Sequence, residues 1–261
     1  MKIRNAIMGL LLLSSAVLVS CKNQASNVKS DSLYVKKVDN YKDNFINGMD
    51  VSQVISLENS GVKYYNFDGE EEDVLKILSD NGINYIRVRV WNNPYDREGN
   101  GFGGGNCTID TAVELGKRAT KYGMKLLVDF HYSDFWADPS KQMCPRAWLE
   151  MTIDEKALAL YQYTKESLQK LKDANVDVGM VQIGNETNNG LAGETTWYNR
   201  TILMKKASEA IREVTPKAKI AVHFANPEKA GSYQNYASKL NYYNLDYDIF
   251  ASSYYPYWHG S

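Results

Sequence analysis

The chain has 261 residues, 44% hydrophobic and 23% charged, with 18 Gly and 6 Pro, a globular composition that excludes a disordered or collagen-like protein. Its 30 basic and 31 acidic side chains leave a formal charge of −1; with no basic surplus to neutralise phosphates, the balance argues against nucleic acid as a partner. The 19 Tyr and 5 Trp supply flat amphipathic surface, suited to a core or to stacking on the apolar face of a ligand.

Lys2 and Arg4 precede an apolar run from Ala6 to Val19. That run is short of the ~20 residues of a transmembrane span and has the parts of a secretory signal. It ends in Leu18-Val19-Ser20-Cys21, which resembles the bacterial lipobox, whose cysteine becomes the lipidated first residue. The expectation is a lipoprotein signal peptide over 1–20, a lipid on Cys21, a polar tether over 21–43 and a folded domain over 44–261. The protein would then be exported and held at a bacterial membrane, in the periplasm or on the cell surface. Cys107 and Cys144 remain; export permits a disulfide between them, and two free buried thiols fit as well.

Beyond the tether, short apolar runs alternate with amphipathic segments. Phe45 to Val51 reads as a strand. Glu70 to Asp80 reads as a helix with Val74, Leu75 and Leu78 on one face, opened by Asp68 with Glu71 three later and closed by Gly82. Ile83 to Trp91 is a β-rich strand. A helix over Asp110 to Tyr122, closed by Gly123, leads into the strand Lys125 to His131. Thr152-Ile-Asp-Glu155 has the form of a capping box before Ala157, Leu160, Thr164, Leu168 and Leu171 at helical spacing. A strand over Gly179 to Glu186, a helix over Trp197 to Val214 bounded by Pro216, a strand over Lys219 to Phe224, a helix near Lys229 to Leu240 and a strand over Asp248 to Tyr255 complete the series.

Such alternation predicts a parallel α/β sheet, because parallel strands need crossover helices. An open doubly wound nucleotide fold would want a glycine-rich turn after its first strand, and Asp50 to Gly61 contains no G-x-G-x-x-G. The Gly101-Phe-Gly-Gly-Gly105 run precedes no Lys-Ser/Thr pair and reads as a flexible loop. A (β/α)8 TIM barrel explains more. Asp50, Arg89, Asp129, His131, Glu186, His223 and Tyr255 all fall at strand C-terminal ends, where barrel enzymes assemble their sites. A barrel needs eight strands and six are legible, so the last two βα units are expected beyond Ser261.

Strand parity puts Arg87 and Arg89 on one face of their strand, which is costly unless carboxylates pair with them. Asp129 and His131 also share parity, and Asp134 and Trp136 follow them. Metal catalysis is not indicated: the 3 His lie on separate segments, without H-E-x-x-H or C-x-x-C spacing. Gln182-Ile-Gly-Asn-Glu186 is the sharpest signal. It delivers Asn185 and Glu186 from a buried strand, with the carboxyl expected in an apolar, water-poor mouth fitted to general-acid work.

Strand four ending in Asn-Glu resembles the large clan of retaining (β/α)8 glycoside hydrolases. The wider set of motifs is similar to glycoside hydrolase family 53, the endo-β-1,4-galactanases. Those motifs are Gly48-Met-Asp-Val-Ser52, Arg87-Val-Arg-Val-Trp91, Asp129-Phe-His-Tyr-Ser-Asp-Phe-Trp-Ala-Asp-Pro139, Gly184-Asn-Glu-Thr187 with Gly190-Leu-Ala-Gly193, and Ser252-Ser-Tyr-Tyr-Pro-Tyr-Trp-His-Gly260. The resemblance implies Glu186 as acid/base and Asn185 as hydrogen-bond partner of the sugar 2-hydroxyl. The nucleophile would be a second glutamate at the end of strand seven, beyond Ser261; Glu194 and Glu228 read as loop or helix-end charges. It further implies that Arg87 or Arg89 positions the nucleophile and that Asp129, His131 and His223 line the central subsite. Trp136 to Lys141, with Asp138 and Lys141, would hold more distant sugars, and Tyr255 and Trp258 would sit near the cleavage point. Asp50 and Asp134 join this substrate-binding set.

The function so implied is endo-acting hydrolysis of β-1,4-galactan or arabinogalactan by a monomeric, lipid-anchored enzyme. The alternatives are an endo-hydrolase of the same clan acting on mannan, xylan or cellulose, and a non-catalytic lipid-anchored glycan-binding protein. No cofactor is evident from the residues present; calcium is left open, with any ligands in segments beyond Ser261. Without its seventh and eighth strands the chain is expected to be inactive.

Overall fold

The computed structural model describes residues 45–102 and 107–260. The expected signal peptide, Cys21, the whole tether over 21–43 and the last three residues of the glycine-rich run lie outside the described residues. Every strand and helix among the described residues belongs to the unit Ile46–Ser261.

Six strands, β1 (Gly48–Asp50), β2 (Tyr85–Val90), β3 (Lys125–Phe130), β4 (Val178–Ile183), β5 (Lys219–Phe224) and β6 (Ile249–Ser252), form one sheet. All five pairings are parallel. Among the described residues seven α-helices accompany them, α1 (Val54–Asn59), α2 (Val74–Asp80), α3 (Ile109–Lys121), α4 (Ile153–Asp173), α5 (Trp197–Val214), α6 (Ser232–Tyr242) and the single turn α7 (Pro256–His259), with a 3-10 turn at Arg146–Trp148. The spatial order of the strands is their chain order. With right-handed crossovers throughout, that order sends every connecting helix to the same face, which is the winding of a barrel and not of a doubly wound sheet.

Side-chain reach shows the sheet to be curled. The Tyr85 ring on β2 packs so close to Gly179 on β4 that a Cβ there would lie 2.4 Å from the phenol oxygen, and Arg87 on β2 bonds Asn185 beyond β4 at 3.0 Å. Strands two apart in a flat sheet are about 9–10 Å distant, so the inner face is concave. Ile86, Val88, Val90, Leu126, Val128, Phe130, Ile220, Val222 and Phe224 are buried with helix residues such as Leu115, Leu160, Leu168, Leu203 and Ile211. The alternate residues Arg87, Arg89, Asp129 and His223 face the other way and carry the chemistry.

The capping box of α4 forms as expected: Thr152 caps the backbone of Glu155 while the Glu155 carboxylate returns to the Thr152 N–H. The start of α2 differs from expectation. Asp73, not Asp68, accepts from Leu75 N–H at 2.9 Å, because Tyr64 to Glu72 is taken up in a small hairpin with a Tyr65–Glu71 bridge. β1 is shorter than expected and α1 follows at once. β6 stops at Ser252, which leaves Tyr255 outside the strand as the residue before α7. Among the described residues, no helix is long and apolar enough to cross a membrane.

Candidate active site

The concave face carries one continuous polar network. The Arg87 guanidinium donates to Asp50 at 2.7 Å, to Asp129 at 2.5 Å and to the Asn185 side-chain oxygen at 3.0 Å. Asp129 also accepts from His131 Nε2 at 2.9 Å and from Gln182 at 2.6 Å. Burial alone would raise the Asp129 carboxyl, but the Arg87 charge, with lesser help from His131, overrides it and pulls the group down to about 2. Both oxygens are occupied and the residue is fully enclosed, as is His131, whose Nδ1 accepts from Ala137 N–H at 3.0 Å. Asp129 and His131 are therefore enclosed beneath the concave face, out of direct reach of the surface.

Arg89 has a different environment. Its guanidinium carbon lies 4.8 Å from the centre of the Trp136 ring, and its nearest carboxylate oxygen, on Asp50, is at 3.9 Å. Trp136 in turn meets His131 edge-on and keeps one side open to solvent.

Glu186 stands three residues past the end of β4. The path to it requires a turn that ordinary residues resist: Gly184 has φ +90° and Glu186 itself φ +49°. A Cβ on Gly184 would meet Thr187 Cγ2 at 2.5 Å and Leu191 Cδ1 at 2.7 Å. The left-handed backbone at Glu186 is held from several sides. Glu186 N–H donates to His223 Nδ1 at 3.2 Å, the Gln142 amide donates to the carbonyls of Asn185 and Glu186, and buried Arg200 grips the carbonyls of Thr187 and Asn188. Strained backbone persists only where the surroundings over-determine it, and such positions cluster at functional sites.

Asn185 is buried, with one amide hydrogen committed to Ala137 O at 2.7 Å. His223 on β5 is pushed down to about 4 by burial. The mouth around Glu186 is polar, not apolar as expected: its Oε1 accepts from the Ser253 hydroxyl at 2.5 Å, and Ser253 contacts His223 Nε2 at 3.0 Å. A cavity of about 380 Å³ opens here, with Glu186, Glu228, Ser253, Tyr255, Trp258 and His259 in its wall. Glu228 is 3.7 Å from His259, and Glu194 is spent in an ion pair with buried Lys156 at 2.5 Å.

Asp134, Asp138 and Lys141 lie outside the wall of this cavity. Asp134 accepts from Asn93 N–H and from Arg146, tying two loops together. Asp138 closes its own turn by accepting from Ser140 twice. Lys141 lies over Phe135 at 4.9 Å and, with Asp134, Phe102 and Met143, walls a separate apolar cavity of about 370 Å³. Each has polar or aromatic partners within the loops. Cys107 and Cys144 are free thiols, and burial pushes Cys107 up to about 11. Gln182, Gln142, Arg200 and Ser253 were not singled out from the sequence. Gln182 left a signal, as a polar residue at an inward position of an otherwise apolar strand.

Fold and site together define a β/α barrel protein with an Asn-Glu pair after its fourth strand, set over an arginine–carboxylate floor. The family model described as glycosyl hydrolase family 53 matches residues 46–261. The chain is 51% identical over 246 residues to the endo-beta-1,4-galactanase of Bacillus subtilis, covering 94% of this chain and 57% of that protein. It is 37% identical to the arabinogalactan endo-beta-1,4-galactanase of Humicola insolens, covering 82% and 65%. The GH53 catalytic domain of Ignisphaera aggregans superposes with a TM-score of 0.84 at 40% identity, covering 87% of this chain and 64% of that one. The chain belongs to glycosyl hydrolase family 53, whose fold is a (β/α)8 barrel, and it spans about three-fifths of the length of these relatives.

Proposed function

We propose that the protein is an endo-acting, retaining glycosidase that cleaves β-1,4-galactosidic bonds in galactan or arabinogalactan. The observation that carries this reading is Asn185–Glu186, held past β4 at the cavity edge in a left-handed turn fixed by His223, Gln142 and Arg200. The names of the relatives at 51% and 37% identity supply the substrate class. Glu186 protonates the glycosidic oxygen as the bond breaks, and as carboxylate it then takes a proton from the attacking water. The second amide hydrogen of Asn185 serves the 2-hydroxyl of the sugar being cleaved. A retaining path also needs a nucleophilic carboxylate about 5–5.5 Å from the acid/base; in this reading it is a glutamate on a strand beyond Ser261. Exposed Tyr255 and Trp258 give the sugar C–H faces a place to stack.

The test is product analysis on galactan, mannan, xylan and cellulose, using the chain extended to the length of its relatives. Internal cuts in galactan with retained configuration are expected, along with near-total loss in Glu186→Ala and azide rescue on substrates with a good leaving group. Faster cleavage of another glycan would move the protein within its clan. Binding without cleavage would make it a glycan-binding protein.

The Leu18-Val19-Ser20-Cys21 ending supports a further part of the reading, that the protein is exported and lipid-anchored through Cys21. Expressed in a bacterium, it should partition with membranes, and Cys21→Ser should abolish lipid incorporation. A soluble, unlipidated parent chain would refute the anchor.

A further inference from the structure

Three neighbouring strands place three side chains in a row. Glu186 follows β4, His223 lies in β5, and Ser253 follows β6. The row is tied to the sheet on both sides of His223: Thr187 N–H donates to His223 O at 2.9 Å, and Ser253 N–H donates to Phe224 O at 2.9 Å. None of the three can drift without disturbing strand pairing.

The hydrogen bonds fix where the protons lie. His223 Nδ1 faces two N–H donors, the backbone of Glu186 at 3.2 Å and the amide of Gln182 at 3.1 Å. A ring nitrogen facing two donors is the acceptor, so the hydrogen of the neutral ring sits on Nε2. Nε2–H therefore donates to Ser253 Oγ at 3.0 Å, and the single Ser253 hydroxyl hydrogen is left for Glu186 Oε1 at 2.5 Å. That length suits a hydroxyl donating to a carboxylate.

We propose that Ser253 is a positioning residue that decides which oxygen of Glu186 carries the transferable proton. Oriented by His223, its hydroxyl holds Oε1 as a permanent acceptor and leaves Oε2 for the proton delivered to the leaving group. His223 in this arrangement orients and does not transfer: its one hydrogen is spent on Ser253, and the proton gained in the second step comes from water. The inference rests on the reading of Glu186 as acid/base.

The experiment uses the chain at the full length of its relatives and two readouts. The first is infrared spectroscopy at alkaline pH, with the Glu186 carboxylate bands identified as those missing from Glu186→Gln. The second is the pH profile of kcat/KM on galactan, whose alkaline limb reports the essential acid. Ser253→Ala removes a donor to the carboxylate. It should shift those bands and move the alkaline limb upward by roughly one pH unit, while Ser253→Thr restores both. A folded Ser253→Ala protein with unmoved bands and an unmoved limb overturns the proposal, as does a fall in rate alone, the mark of a merely structural serine. If Glu186→Gln itself still cleaves galactan, the acid/base reading fails, and this proposal with it. If Glu186→Gln is inactive but Ser253→Ala leaves the limb in place, the role of Ser253 alone fails.

Discussion

At the scale of single residues, two buried groups contribute separate parts of the acid response of the fold. His223 has its ring depressed from 6.5 to about 4 by burial. The unfolded chain takes up that proton first, so the stability it contributes is complete above about pH 6.5 and is lost as pH falls toward 4. Asp129, depressed from 3.8 to about 2 against its own burial by Arg87, contributes stability above about pH 4 that is lost only between 4 and 2. Its contribution is on the order of 2 kcal/mol. Two successive losses are expected in urea unfolding followed against pH. His223→Gln should flatten the upper window and leave the lower one. Asp129→Asn should flatten the lower one and cost about 3 kcal/mol at neutral pH, since it leaves the Arg87 charge in a largely buried site with Asp50 alone. A single acid transition shared by both variants would show that neither window belongs to its assigned group.

At the scale of elements, the left-handed turn after β4 is the critical join. Gly184→Ala adds a Cβ at φ +90° that overlaps Thr187 and Leu191, whereas Gly123→Ala, at φ +75°, meets nothing within 4 Å. The second change should cost about 1 kcal/mol, the intrinsic penalty of the left-handed region. The first should cost roughly 2–4 kcal/mol with the overpacking added and should impair galactan cleavage, because Glu186 hangs on the turn. Equal melting shifts for the two would remove the steric argument. Long periodic elements were legible in the sequence: α5 and β5 fall where their patterns put them, and the α4 cap is written in Thr152 and Glu155. The join was not legible, because a strand pattern running through Gln182-Ile183-Gly184 carries no mark of a positive φ at Glu186. The local contacts of Asp134, Asp138 and Lys141 are not legible for a related reason. Their position after β3 was visible, but the loop partners that consume them, Arg146, Ser140 and Phe135, are fixed only by tertiary packing. Ser253 is hidden by the opposite effect, a small residue whose meaning lies in two distant partners, Glu186 past β4 and His223 on β5.

At the scale of the whole unit, the outermost strands stand apart from the rest. All three residues of β1 are exposed, Met49 at 47%, and β6 buries none of its residues, while β2 buries half of its residues and β3 to β5 most of theirs. Such strands offer unpaired backbone groups beside apolar side chains, which is the template for association with another chain; closing a barrel abolishes it. The carboxylates near Glu186 are also committed elsewhere: Asp129 is enclosed by Arg87, His131 and Gln182, and Glu228 faces His259. The expected outcome is that the 261-residue chain on its own associates through these edges and releases no oligosaccharide from galactan. The same chain carried to the length of its relatives should sediment as a monomer and cleave. Met49→Lys in the 261-residue chain separates the two causes: it should weaken association by charging the edge of β1 and leave cleavage absent if the proposed reading of the nucleophile holds. Sedimentation velocity and reducing-sugar release on all three proteins decide it. Brisk retaining cleavage by the 261-residue chain would place the nucleophile within residues 45–260, with Glu228 the first to replace.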